Sequence, residues 1–256
     1  MPETAGIHYR GHQGVNSIKA PIIFIHGAGV DSRIWPFQLR RLEGYHVYTI
    51  DLPGHGRSQS VCCHSVSSYV DALIIFLNHV EIDRAVFVGL GIGGNIIMEL
   101  SERFPDRVRG VFLINTGLQY DIPLSASKSL SGKQPSSAFQ RIIEYGTADD
   151  CWNPFLQQLE TIIQSQRQSV LTADLFLIEQ YHYPYQQVHP VNIPVRCLFC
   201  ERDGLLGKRY LDVMQRVINQ DNLIAPVSGR SHWLPLEDPL VVKSHLLAFI
   251  RELQIN

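Results

Sequence analysis

Short, mostly apolar runs alternate along this chain with longer stretches of helical spacing. Pro21–Ile25, Tyr45–Ile50, Ala85–Val88, Val111–Ile114, Val195–Phe199 and Leu223–Val227 are the short runs. Their hydrophobicity is continuous rather than alternating, which predicts strands buried on both faces. Between them, Val66–His79 places apolar residues at three- and four-residue intervals and predicts a helix. Asn95–Phe104 predicts a second, stopped by Pro105. A last helix starts at Asp238-Pro239, an N-cap acid followed by a proline in the first turn, and runs to about Leu253. Strands alternating with helices predict an α/β fold: a mostly parallel central sheet with helices on both faces.

One segment breaks the alternation. Residues 118–190 hold no clear strand. A serine-rich stretch, Ser125–Ser137, leads into helical patterns around Phe139–Tyr145, Phe155–Ile163 and Leu171–Tyr181, with tyrosines at 181, 183 and 185. The expected organisation is a core of residues 1–117 and 191–256, with 118–190 as a helical cap inserted between core strands. Extra packing helices without a lid role would leave the same pattern.

Ligands of a parallel sheet bind beyond the carboxyl ends of its strands, so the residues after each strand carry the candidate chemistry. They are His26-Gly27-Ala28-Gly29, then Asp51-Leu-Pro-Gly-His-Gly-Arg-Ser58, then Gly89-Leu90-Gly91-Ile92-Gly93, then Glu201-Arg202-Asp203-Gly204, then Gly229-Arg230-Ser231-His232-Trp233. The third has the layout of a nucleophile elbow, G-x-S-x-G, with glycine in place of serine. The elbow holds its central residue at a backbone conformation that glycine enters freely and an L-residue enters at a cost of about 1–2 kcal/mol. Gly91 therefore suits the turn and removes the attacking oxygen. The same string satisfies the dinucleotide fingerprint G-x-G-x-x-G, but that pattern needs an acid after the next strand, and Asn115-Thr116-Gly117 stands there.

Taken together and in this order, these motifs resemble the α/β-hydrolase superfamily. The likeness is to its helical-cap branch of small-molecule esterases, enol-lactone hydrolases and carbon–carbon bond hydrolases. The resemblance covers nearly all the chain outside the cap. It implies His232 as general base, Asp203 as the carboxylate that orients it, and the backbone N–H groups of Ala28 and Ile92 as the oxyanion hole. It also implies a nucleophile at position 91. Three readings follow: a hydrolase whose serine has been replaced, by engineering or sequence variation, leaving it inactive or strongly impaired; an enzyme using the His232–Asp203 dyad as general base without a covalent nucleophile; and a small-ligand-binding protein. Ser32, Ser58 and Ser231 lie on nearby loops without an elbow. His55 and Arg57 are expected to buttress the first strand's loop, and His64 to border the pocket or the cap packing.

Composition narrows the partners. The 256 residues carry a net charge of −2 with scattered Lys and Arg, which points to a small-molecule substrate and not to nucleic acid or a membrane. Five cysteines include Cys197 and Cys200 within one predicted strand, three positions apart and so on opposite faces. They are expected to be buried free thiols, not metal ligands, and no metal or organic cofactor is implied. The amino-terminal residues show no charged start followed by an apolar run, so the expected location is the cytoplasm.

Overall fold

The computed structural model describes residues 3–14, 20–59, 61–123, 135–147, 154–182, 193–206, 214 and 224–255. Among them, strands β1 (Glu3–Thr4), β2 (Ile7–His12), β3 (Ile22–Ile25), β4 (Val47–Ile50), β5 (Ala85–Leu90), β6 (Val108–Ile114), β7 (Val195–Cys200) and β8 (Ile224–Val227) form one sheet. Its order is β1-β2-β4-β3-β5-β6-β7-β8. From β4 through β8 all neighbours are parallel, while β2 lies antiparallel on β4 and β1 antiparallel on β2. Every residue of β3 and β5 is buried, which is why their sequence reads as continuous apolar runs.

The helices are α1 (Phe37–Arg40), α2 (Val66–His79), α3 (Ile92–Arg103), α4 (Pro135–Gly146), α5 (Pro154–Gln164), α6 (Gln168–Gln180), α7 (Leu234–Glu237) and α8 (Pro239–Ile255). α2 begins where Ser65 and Ser68 cap one another reciprocally, Ser68 N donating to Ser65 Oγ at 3.2 Å and Ser65 N to Ser68 Oγ at 3.3 Å. It then buries Val66, Tyr69, Val70, Leu73, Phe76 and Leu77, one helical face, against the core. α2 packs on α3 and α1 on α8. Phe249 of α8 meets Phe112 of β6 at a centroid distance of 5.9 Å.

Three helices, α4 to α6, lie between β6 and β7 in sequence. The turn joining α5 to α6 grips the loop after β4: Arg167 Nη2 donates to Gly54 O at 2.5 Å and Ser58 O at 2.8 Å, and Gly56 N donates to Gln166 Oε1 at 3.0 Å. Much of the serine-rich stretch, Cys151, Trp152, Tyr183 and Tyr185 lie outside the described residues.

The sequence pattern missed β1, β2 and the single-turn helices α1 and α7. It ended β5 two residues early, at Val88 instead of Leu90, and began α3 three residues late, at Asn95 instead of Ile92. No helix among the described residues is long and apolar enough to cross a membrane.

Candidate active site

β5 runs directly into α3 through one residue, Gly91, at φ +52° and ψ −124°. The neighbouring glycines are there for a different reason, close approach. A Cβ at Gly89 would lie 2.5 Å from Gly94 N, and one at Gly93 would lie 2.5 Å from both His26 O and Ile25 O. No side chain fits those points. At Gly91 a Cβ would meet only the imidazole of His232, with Nε2 at 3.3 Å and Cε1 at 3.5 Å. Position 91 thus has room for a side chain, and that side chain would face a histidine.

His232 stands on the loop after β8, and its Nδ1 lies 2.7 Å from Asp203 Oδ2, on the loop after β7. Both side chains are buried. A carboxylate has no proton to give, so Nδ1–H donates, and the other ring nitrogen, Nε2, is turned toward Gly91. The other oxygen of Asp203 accepts from Leu205 N at 2.9 Å, which fixes the carboxylate's rotation.

The alignment of this pair depends on a residue belonging to neither loop. Asn115, at the end of β6, donates through Nδ2 to Ser231 O and His232 O, both at 3.0 Å, and accepts from Cys200 N at 2.8 Å. Its φ of +45° is one that asparagine tolerates better than most residues. His232 N in turn donates to Gly146 O, the last residue of α4, at 3.0 Å.

The backbone N–H groups of Ala28 and Ile92 have no acceptor among the described residues, as donors reserved for an oxyanion require. The next N–H, that of Gly29, is taken. Asp174 of α6 accepts from Gly29 N at 2.6 Å and lies 2.8 Å from His55 Nε2, fully buried at both ends. His55 Nδ1 meets Pro53 O at 3.1 Å. A carbonyl and a carboxylate both require a donor, so His55 carries a proton on each nitrogen. Burial opposes that charge, but the attraction and hydrogen bond of Asp174 outweigh it and raise the pKa. The ring beside it is the opposite case. His26 Nε2 accepts from Leu52 N at 3.0 Å and its Nδ1 donates to Gly27 O at 2.8 Å, which is the neutral tautomer. Burial, and then the positive charge of His55 with ring centroids 4.8 Å away, lower its pKa to about 4.

The structure therefore brings together Gly91, Asp203, His232 and the Ala28 and Ile92 turns. Two of the three nearby serines are committed elsewhere: Ser58 Oγ donates to Asp51 O at 2.5 Å and Ser231 Oγ to Glu237 at 2.8 Å. His55 does buttress the loops, though through Asp174. His64 lines a separate groove with Tyr181, between the start of α2, the end of α3 and α6. Cys62, Cys63, Cys197 and Cys200 are free, and burial pushes the Cys197 thiol up to about 12. No cluster of His, Cys, Asp and Glu among the described residues could hold a metal ion. Sequence reasoning missed Asp174 and Asn115.

The Alpha/beta hydrolase family is matched over residues 22–243. The chain belongs to that family. Among curated members, this α/β hydrolase is 32% identical over 93 residues to a pimeloyl-[acyl-carrier protein] methyl ester esterase of Shewanella sp. (strain MR-7), covering 36% of this chain and 33% of that protein. It is 29% identical over 106 residues to a 2-hydroxy-6-oxononadienedioate/2-hydroxy-6-oxononatrienedioate hydrolase of Paraburkholderia phymatum, covering 39% and 37%. The chain thus matches under half the length of these relatives. Among solved structures, the enol-lactonase of Burkholderia xenovorans LB400 superposes with a TM-score of 0.83 over 96% of both chains at 18% identity. A thermophilic esterase of Thermogutta terrifontis gives 0.82 over 96% and 93% at 19% identity. At those identities the likeness is one of fold.

Proposed function

We propose that this α/β hydrolase is built to cleave a small ester-, lactone- or ketone-type substrate, and that glycine at the nucleophile position leaves it inactive or strongly impaired on the covalent route. The observation that carries this reading is the clearance at position 91: a Cβ there points at His232 Nε2 from 3.3 Å, whereas the flanking glycines admit none. With serine at 91, His232 Nε2 would take the hydroxyl proton as oxygen attacks the carbonyl carbon, and would return it to the leaving group. Asp203 would stabilise the imidazolium, and Ala28 N and Ile92 N would hold the oxyanion. With glycine no acyl-enzyme forms, and the remaining polarising and binding groups supply about 10³–10⁴-fold over water. In this reading α4 to α6 act as the cap, and the free thiols fit a reducing cytoplasm.

The test is Gly91→Ser, assayed on a panel of small esters, lactones and diketones beside the unmodified chain. The expected result is a burst of product and turnover at least 10³-fold above the glycine form, lost again in Gly91→Ser/His232→Ala. A folded Gly91→Ser protein with no activity on the panel overturns the reading. A second reading rests on His232 Nε2, which has no hydrogen-bond partner among the described residues. A water activated there would support slow general-base hydrolysis of activated substrates, worth about 10²–10⁴-fold. It predicts low activity in the glycine form that His232→Ala abolishes.

A further inference from the structure

Away from the dyad, a groove of about 530 Å³ runs between α5 and the β2–α1 edge of the molecule. Arg10, Arg33 and Arg40 line one wall, and Gln157, Gln158 and Thr161 of α5 the other. Arg33 is anchored: its Nε and Nη2 hold Asp31 at 2.9 Å and 2.7 Å, leaving Nη1 toward other acceptors. Arg10 and Arg40 differ. Neither side chain has a hydrogen bond or a carboxylate partner among the described residues, and the Nε of each is sealed from solvent with no acceptor. The neighbouring acids are spent, Asp31 on Arg33 and Gln166, Asp51 on His8 and the Ser32 and Arg57 amides. Burial first, and then the charges of Arg10 and Arg41, lower the pKa of Arg40.

Two half-buried guanidinium groups, close enough to repel, with shielded donors and no counter-charge, cost free energy that a chain selected only for stability would relieve. Planar forked donors are matched to tetrahedral oxyanions, and three converging guanidinium groups suit a dianion better than a single carboxylate. We propose that this groove binds a phosphoryl group, held by Arg10, Arg40 and the free end of Arg33, with the amide of Gln157 as a further donor; that of Gln158 already donates to Arg33 O at 3.3 Å. The site is independent of position 91 and of the proposed hydrolysis, because its readout is binding.

The experiment titrates the folded protein with inorganic phosphate at constant ionic strength, chloride replacing phosphate, and follows the melting temperature and calorimetric heats. Wild type is expected to show a saturable response, weakened at least tenfold in Arg10→Gln/Arg40→Gln. That double variant removes an unpaired repulsion, so without phosphate it should melt at or above the wild-type temperature. A second variant, Thr161→Glu, supplies a carboxylate from α5; it should raise the phosphate-free melting temperature and remove the response. Titration with glycerol 3-phosphate separates the sources: tighter binding than inorganic phosphate assigns a phosphorylated metabolite, equal binding assigns free phosphate. A wild-type response no larger than the chloride control, or one retained within threefold by both variants, overturns the proposal.

Discussion

Replacing Gly91 by alanine isolates the geometry of the elbow from its chemistry. The new Cβ enters at φ +52° and ψ −124°, outside the left-handed helical well, which costs an L-residue about 1–3 kcal/mol. It contacts only the imidazole of His232, whose Nε2 at 3.3 Å must yield by a few tenths of an ångström. That contact is with a side chain and not with backbone, so the backbone strain dominates and the loss should stay near 1–3 kcal/mol. For a domain of this size each kcal/mol moves the melting point by about 2–4 °C, giving a fall of about 2–12 °C. Gly93→Ala is the control. Its Cβ would lie 2.5 Å from two backbone carbonyl oxygens that cannot swing away, so β3's loop must shift and the loss should exceed 3 kcal/mol, above the usual range for overpacking of about 1–3 kcal/mol. Urea unfolding followed by the fluorescence of buried Trp35 and Trp233 measures both. Equal losses at 91 and 93, or a gain in stability at 91, refute the argument that position 91 is shaped to carry a side chain.

Two further predictions concern the buried histidines. Asp174→Asn keeps the shape but removes the charge that raises the His55 pKa; a raised histidine contributes stability that is complete below pH 6.5 and fades as pH climbs through its folded value, so the stability lost in the variant should be about 2–3 kcal/mol at pH 5.5 and smaller at pH 9, and a loss constant across that range contradicts the charged pair. His26, lowered to about 4, works in the opposite direction: the unfolded chain takes up its proton between pH 6.5 and 4 while the folded chain does not, so folding weakens across that window by about 3 kcal/mol, and His26→Gln should show a shallower acid slope in urea midpoints, an unchanged slope counting against the neutral tautomer.

The parallel centre of the sheet was legible because strands buried on both faces leave no polar alternation, as in Ile22–Ile25 and Ala85–Leu90. The antiparallel margin was not. Ile7–His12 reads Ile-His-Tyr-Arg-Gly-His, with only its first two residues buried, and a short polar strand flanked on its outer side only by the two-residue β1 carries little apolar signal. The positions of Gly91, Asp203 and His232 were legible because glycine turns after strands mark the ligand edge. Asp174 was not, since its partners Gly29 and His55 lie 145 and 119 residues away in sequence. One clue existed: it falls three residues after Leu171 and four after Val170, on the apolar face of α6, where an acid needs a partner. Asn115 could be recognised only from its backbone angle and the two carbonyl groups it gathers, neither of which leaves a trace in composition.

The stitching by Asn115 also bears on how the imidazole–carboxylate couple endures. Its hydrogen bonds join three strand ends, and Asp203 additionally caps the Leu205 amide, so both groups are members of the scaffold as well as of the proposed reaction centre. In the proposed reading, loss of the attacking atom at 91 would relax selection on turnover but leave the mechanical demand on those two side chains intact. A lineage that fell silent at this site would go on conserving most of its machinery for free, and a single codon change could wake it.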